Sequence, residues 1–134
     1  MKTITSVRTS VGQVVLAAIT NGSAQLPKIE IYSGTMPASM GLSITDTLLA
    51  ELELAATAGT VTSGVLTFDA IADDLEANAS GSPGWARVLD RDGAEVHYLT
   101  VSVGGGGGEL QLSSESLQAG NPVSISSASI AMGS

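Results

Sequence analysis

From Lys28 onward, apolar residues recur at every second position in short runs, and Gly, Pro, Asn, Asp or Ser bounds each run. A repeat of two is the repeat of a β-strand, whose successive side chains point to opposite faces, so most of this chain is committed to sheet. In "KIEIYS", Ile29 and Ile31 share one face while Lys28, Glu30 and Tyr32 take the other. In "TLLAELELA", Leu48, Ala50, Leu52 and Leu54 line one face, opposed by Glu51 and Glu53, and "GVLTFDA" offers Leu66 and Phe68 to one side. "GWARVLD" and "AEVHYLTVSV" flank Arg91-Asp92-Gly93, the clearest hairpin signal of the chain. Alternation puts Leu89 on the face of Trp85, the single tryptophan, which reads as a core anchor. The last run, "PVSISSASIAM", changes parity: Val123 and Ile125 lie on one face, Ile130 and Met132 on the other. Either a β-bulge near Ser126–Ser127 restores one core face, or the strand passes between two sheets. About seven or eight short strands separated by turns predict a mainly β fold, an antiparallel β-sandwich of jelly-roll type.

One segment departs from this repeat. Ile4, Val7, Val11, Val15 and Ala18 fall at steps of three and four, and Asn21-Gly22 supplies a stop. A helix is predicted over residues 6–20, although Gly12 and the β-branched residues weigh against it. The organisation is then one domain, 1–134, with a possible N-terminal arm at 1–5, the helix at 6–20 and the sandwich at 28–132. No cysteine is present, so disulfides, thiolate catalysis and cysteine-based zinc sites are excluded. A net charge of −8 without a basic stripe argues against nucleic acid and anionic membranes as partners. The apolar run Val14–Ile19 is too short for a membrane span or a signal peptide, so the chain reads as made in a cytosol.

Four groups of residues in the chain are of types that could carry chemistry. Gly104–Gly108 is neither a dinucleotide fingerprint nor a P-loop: Glu109 stands where the last glycine or the lysine is needed, and "ELQL" continues as strand. The run is expected to be a flexible loop between strands. His97, the only histidine, shares its strand parity with Glu95, has Tyr98 on the other face, and lacks a nucleophile with an orienting partner. Asp90-Arg91-Asp92-Gly93 opens like a calcium loop but lacks the later ligands, and reads as a turn. Asp73, Asp74 and Glu76 form an acidic cluster without ligand spacing, and no G-x-S-x-G elbow occurs. No catalytic, metal or cofactor-binding residue is expected, and the chain is not read as an enzyme.

Taken in order, "KIEIYSGTMPAS", "TLLAELELA", "GWARVLDRDGAEV" and the glycine-rich loop with "ELQLSSESLQAGNPVSISSASIAM" resemble the small head decoration, or cement, proteins of tailed bacteriophages. The resemblance runs from about Ser6 to Met132 and consists of short apolar runs and turns, with no catalytic motif. It implies a structural virion protein of jelly-roll type, made in the bacterial host cytoplasm and placed on the outer capsid surface. Its partners would be the major capsid protein and further copies of itself, as dimer or trimer. A tail or head-completion component and a carbohydrate-binding module are the alternatives. The N-terminal "MKTIT" and the residues beside it supply the candidate interface: Lys2, Ile4 and Arg8.

Overall fold

A computed structural model describes residues 4–114 and 116–132. Among the described residues one helix, α1 (Thr5–Ile19), precedes eight strands. These are β1 (Lys28–Tyr32), β2 (Leu48–Glu53), β3 (Gly59–Thr62), β4 (Val65–Phe68), β5 (Trp85–Leu89), β6 (Glu95–Val103), β7 (Leu110–Leu112) and β8 (Ile125–Ala131). The mainly β reading with an N-terminal helix therefore holds. The helix starts one residue earlier than expected, at Thr5, so only Ile4 of the described residues in the expected arm precedes it.

The arrangement of the strands differs from an antiparallel sandwich. All eight join one curled sheet, a half-barrel, in the order β2-β1-β5-β6-β7-β8-β4-β3. Every neighbouring pair is antiparallel except β6 and β7, which run parallel with Val101 beside Leu110 and Val103 beside Leu112. The curl lets one sheet enclose its own core. Ile29, Ile31, Leu52, Leu66, Val88, Leu99, Leu110 and Ile130, from seven of the strands, meet in a single aliphatic cluster with almost no exposure.

Three bulges set which residues reach that core. On β8, Ser127 pairs with Gln111 and Ile125 with Leu112, so Ser126 is the extra residue. This is the bulge that the parity change required: Val123, Ile125, Ala128, Ile130 and Met132 all pack on the same aliphatic cluster. On β2, Leu49 is the extra residue, because Ile31 pairs with Ala50 and Tyr32 with Leu48. Leu49 joins the aliphatic core, and Leu48 packs instead against Tyr32, Trp85 and Tyr98. Leu48 thus leaves the face it was expected to share with Ala50 and Leu52. On β6, Val96 is the extra residue, since Val88 pairs with His97 and Leu89 with Glu95.

α1 packs on β3 and β4 through Gly12, Val15, Leu16 and Ile19. Gly12, which spoke against the helix in isolation, is there for close approach: a Cβ on it would lie 2.7 Å from Val61 Cγ1. The β3–β4 turn, Ser63-Gly64, has positive φ at both residues (51° and 78°), the geometry of a tight hairpin. Its Gly64 N–H donates to Thr9 Oγ1 of the helix at 3.0 Å. The open edge of β2 is covered by the segment before β5, where Ala72 and Asn78 N–H donate to the carbonyls of Glu53 and Leu49.

Candidate functional site

The outer face of β1, β5 and β6 carries a second, smaller cluster that strand alternation within each run does not reveal. Tyr32 stacks on Trp85 with ring centroids 4.8 Å apart and planes 17° from parallel, and Tyr98 meets Trp85 at 4.9 Å and 60°. Trp85 is fully buried, as a core anchor should be, but in this aromatic cluster and not in the aliphatic one. Leu89 is buried as well, but it lies four residues along β5 from Trp85, beyond Arg87, and does not join the Trp85 cluster. The long β1–β2 loop, residues 33–47, folds over these rings with Met36 and Ile44, and Asp46 Oδ2 accepts the Trp85 indole N–H at 2.9 Å.

Beside the rings, Arg87 lies between two carboxylates. Its Nε donates to Glu30 Oε1 at 2.7 Å and its Nη1 to Glu95 Oε2 at 2.8 Å, while its guanidinium sits 5.6 Å over the Tyr32 ring. Tyr32 donates to Glu30 and Tyr98 to Glu95, at 2.9 and 2.8 Å. Gly41 N–H, from the covering loop, donates to the remaining oxygen of Glu95 at 3.1 Å, and Lys28 approaches that of Glu30 at 3.9 Å. Burial alone would push the Glu95 carboxyl up, but Arg87, Tyr98 and the Gly41 N–H outweigh it and hold it below the usual range. Burial and the bond to Glu30 push the Tyr32 hydroxyl up to about 12, and burial with Glu95 raises that of Tyr98. Burial would lower the Arg87 guanidinium, yet the two carboxylates raise it.

All four carboxylate oxygens of this network face a donor or cation from the chain itself. What it does is fasten the 33–47 loop to the sheet. Low dielectric and full satisfaction make such a network rigid.

The glycine run serves a comparable purpose. It joins parallel neighbours, a connection that commonly takes a dozen residues or more. Because β7 is so short, the chain has to return only about 7 Å along β6, two strand steps. It does so by lying against that strand: a Cβ on Gly108 would lie 2.6 Å from the Ser102 backbone nitrogen, and one on Gly106 2.8 Å from Ser102 Cβ. The amides are used internally. Gly104 N–H donates to Leu112 O, Gly105 to Gln111 Oε1, Gly106 to Val103 O and Gly108 to Ser102 Oγ. The run is therefore a packed crossover and not the flexible loop expected from its composition, and those four donors are turned to the chain rather than to a phosphate.

The remaining polar groups singled out in the sequence also hold turns. Asp90 accepts the N–H of Asp92 and Ala94, both at 2.9 Å, and Asp92 Oδ1 accepts those of Ser23 and Ala24, which docks the hairpin tip on the segment after α1. Burial would raise the Asp90 carboxyl, but these backbone donors and Asn21 lower it. Asp74 accepts the N–H of Glu51 and Glu76 at 2.9 and 3.0 Å, pinning the edge segment to β2, while Asp73 is exposed. His97 pairs with Val88, and the Val96 bulge turns Glu95 away from it onto the Tyr98 face. Among the described residues no group of three or more His, Asp or Glu side chains is placed to hold a metal ion. All four aromatic side chains are buried, 9% exposed at most, which leaves a carbohydrate-binding reading without an aromatic platform.

The candidate interface residues fall differently. Lys2 lies outside the described residues. Arg8 stands on the side of α1 that faces the β3–β4 turn, its stem against Gly64, and its Nη2 donates to Thr5 Oγ1 at 3.0 Å. Ile4 is 70% exposed, and it heads a row: Val7, Val11 and Val14 are 45%, 46% and 70% exposed, and Ala18 ends it, also exposed. This row is the large apolar surface that the fold leaves uncovered on α1. The three-four spacing expected from sequence places Val15 in this row; the structure packs Val15 on the core and puts Val14 in the row instead.

No protein-family model, no curated protein and no solved structure matches this chain. Among the described residues no helix is long and apolar enough to cross a membrane.

Proposed function

We propose that this chain is a structural virion protein that decorates and stabilises the outside of a tailed-phage capsid, bridging major capsid proteins and further copies of itself. The observation that carries the reading is the aliphatic row Ile4–Val7–Val11–Val14 on an otherwise acidic domain. Its well-placed polar groups are spent on its own loops, which is the economy of an assembly module. The resemblance of its runs and turns to head decoration proteins points the same way. On this reading the half-barrel is a variant of the jelly-roll sandwich, with β2-β1-β5-β6 and β7-β8-β4-β3 standing for its two layers. Weak contacts at each copy suffice, because a fixed lattice of sites multiplies them.

The test is reconstitution. Purified protein is added to undecorated shells of a phage that encodes it, and the shells are pelleted and heated. Co-sedimentation in a fixed ratio to the major capsid protein, with shells opening at a higher temperature, is the expected result. Shells that neither bind the protein nor gain heat resistance would rule the reading out.

A further inference from the structure

We infer that Asn21 is a self-modification site: the Gly22 backbone nitrogen converts its side-chain amide to a carboxylate, and the product loosens the β5–β6 hairpin from the segment after α1. This goes beyond the virion reading and does not rest on it.

The inference starts from what the docked hairpin demands of residues 21 and 22. Gly22 has a φ of 100°, and a Cβ on it would lie 2.5 Å from Asp92 Cγ, so glycine alone fits beneath the tip. Asn21 is held from two sides: its carbonyl accepts the Arg91 N–H at 2.9 Å, and its side-chain amide is a donor to the buried Asp90 carboxyl. Docking therefore sets an asparagine directly before a glycine, and both are exposed.

That pair is reactive by its own chemistry. Asparagine is among the thermolabile side chains, and a following glycine has no side chain to hinder ring closure. The Gly22 nitrogen loses its proton to water or hydroxide and bonds to Asn21 Cγ, while the bond from Cγ to Nδ2 breaks and ammonia leaves. Water then opens the cyclic imide at either carbonyl, giving aspartate, or isoaspartate with a lengthened main chain. Water is the only co-reactant. Among the described residues nothing accepts the Gly22 N–H, so no hydrogen bond of that nitrogen has to break before attack. In the neighbouring Asp92-Gly93 pair, by contrast, the Gly93 N–H is held by Asp90 O at 3.1 Å.

The product undoes the docking. A carboxylate at position 21 faces the Asp90 carboxylate where a donor stood, with Asp92 beside them, and like charges in one site repel. Arg91, the cation of the tip, has its Nε on Gln25 O. The isoaspartate form also shifts Gly22 from under Asp92, whose Oδ1 accepts the N–H of Ser23 and Ala24 at 3.2 and 3.3 Å. Either way the 21–25 segment parts from the tip.

The chain supplies its own controls. Asn78 precedes Ala79, whose methyl hinders closure, and Asn121 precedes Pro122, which has no N–H to lose. Cleavage after Arg8, Lys28, Arg87 and Arg91 by trypsin places these asparagines on separate peptides.

The experiment incubates the folded full chain in mildly alkaline buffer and follows each peptide by liquid chromatography and mass spectrometry. Asn21 is expected to gain the mass of an amide turned to carboxyl and to split into aspartate and isoaspartate peaks. Asn78 should lag behind it and Asn121 should stay unchanged. N21D reproduces the aspartate product. With Trp85 emission reporting a native core, its urea midpoint should fall and its Ser23, Ala24 and Ala94 amides should exchange faster. N21D/D90N, which restores an amide opposite a carboxylate, should regain the midpoint. Conversion at Asn21 no faster than at Asn78 would overturn the attack by Gly22. An N21D chain that keeps the parent's midpoint and exchange, or that D90N fails to rescue, would overturn the release of the hairpin. Shell binding enters none of these readouts, so its failure is a separate result.

Discussion

Replacing Gly108 with alanine isolates the reading of the glycine run as a packed crossover. The added Cβ would lie 2.6 Å from the Ser102 nitrogen and 2.8 Å from the Val101 carbonyl carbon, where ordinary contact begins at 3.4 Å. Both neighbours are backbone of β6, held in the sheet by β5 on one side and β7 on the other, so the loop must move away by most of an ångström. Overpacking of this kind costs about 1–3 kcal/mol. The move also pulls Gly108 N–H from Ser102 Oγ and disturbs Gln111, whose amide donates to Gly106 O, which adds about 1 kcal/mol. The expected loss is about 2–4 kcal/mol, or a Tm lower by roughly 10 °C at this chain length. Gly107 is the internal control: a Cβ there meets nothing within 4 Å, and its φ lies outside the left-handed region. Gly107→Ala should be neutral or stabilise by up to about 1 kcal/mol through the unfolded chain. Urea titrations followed by Trp85 fluorescence measure both. Equal midpoints for the two adjacent variants would refute the packed crossover and return the run to a spacer.

Arg87→Met leaves Glu30 and Glu95 facing each other without their cation; breaking such a pair costs about 3 kcal/mol, read as a lower urea midpoint. Asp46→Ala removes the acceptor of the Trp85 indole N–H and loosens the 33–47 loop, with an expected loss of about 1–2 kcal/mol and a red-shifted tryptophan emission. The carboxyls of Asp90 and Glu95 are held below their unfolded values, so the native state binds fewer protons; their stabilisation is complete above about pH 5 and is lost as pH falls through the folded values. Acid titration of Asp90→Asn should therefore show a shallower decline than the parent. Tyr32 is raised to about 12, so the stability linked to its neutral hydroxyl is full below pH about 10 and is lost as pH rises through 12; in Tyr98→Phe, where Tyr32 is the remaining tyrosine, phenolate absorbance should rise later than that of free tyrosine.

What could be seen in the sequence follows from where the bulges fall. Ser126 was visible because apolar residues lie on both sides of it, and a change in their parity has one simple cause. Val96 was not, because the residues around it, Glu95 and His97, are polar, and either face accepts them in the absence of a partner strand. That one residue hid the Glu30–Arg87–Glu95 network and paired Glu95 with the wrong neighbour. The turn at Arg91-Asp92-Gly93 and the helix at 6–20 were legible since each rests on local chemistry. The single curled sheet and the parallel return between β6 and β7 were not, since both depend on which strands meet. Glycine composition says that a loop can bend; the approach of Gly106 and Gly108 to β6 says that it must. The exposed row on α1 is legible in its strict three-four spacing only if Val14 and not Val15 is its fourth member, a choice that spacing alone leaves open.

On the proposed function, this chain stands in many copies on the outside of a shell. A cryo-electron microscopy map of the native particle tests that directly, even at modest resolution. Density of this size repeated at every equivalent position of the outer surface, seated where major capsid proteins meet, is the expected result. Density confined to the tail vertex would assign the chain to a tail or head-completion structure, and a bare shell in particles that contain the protein would contradict the account.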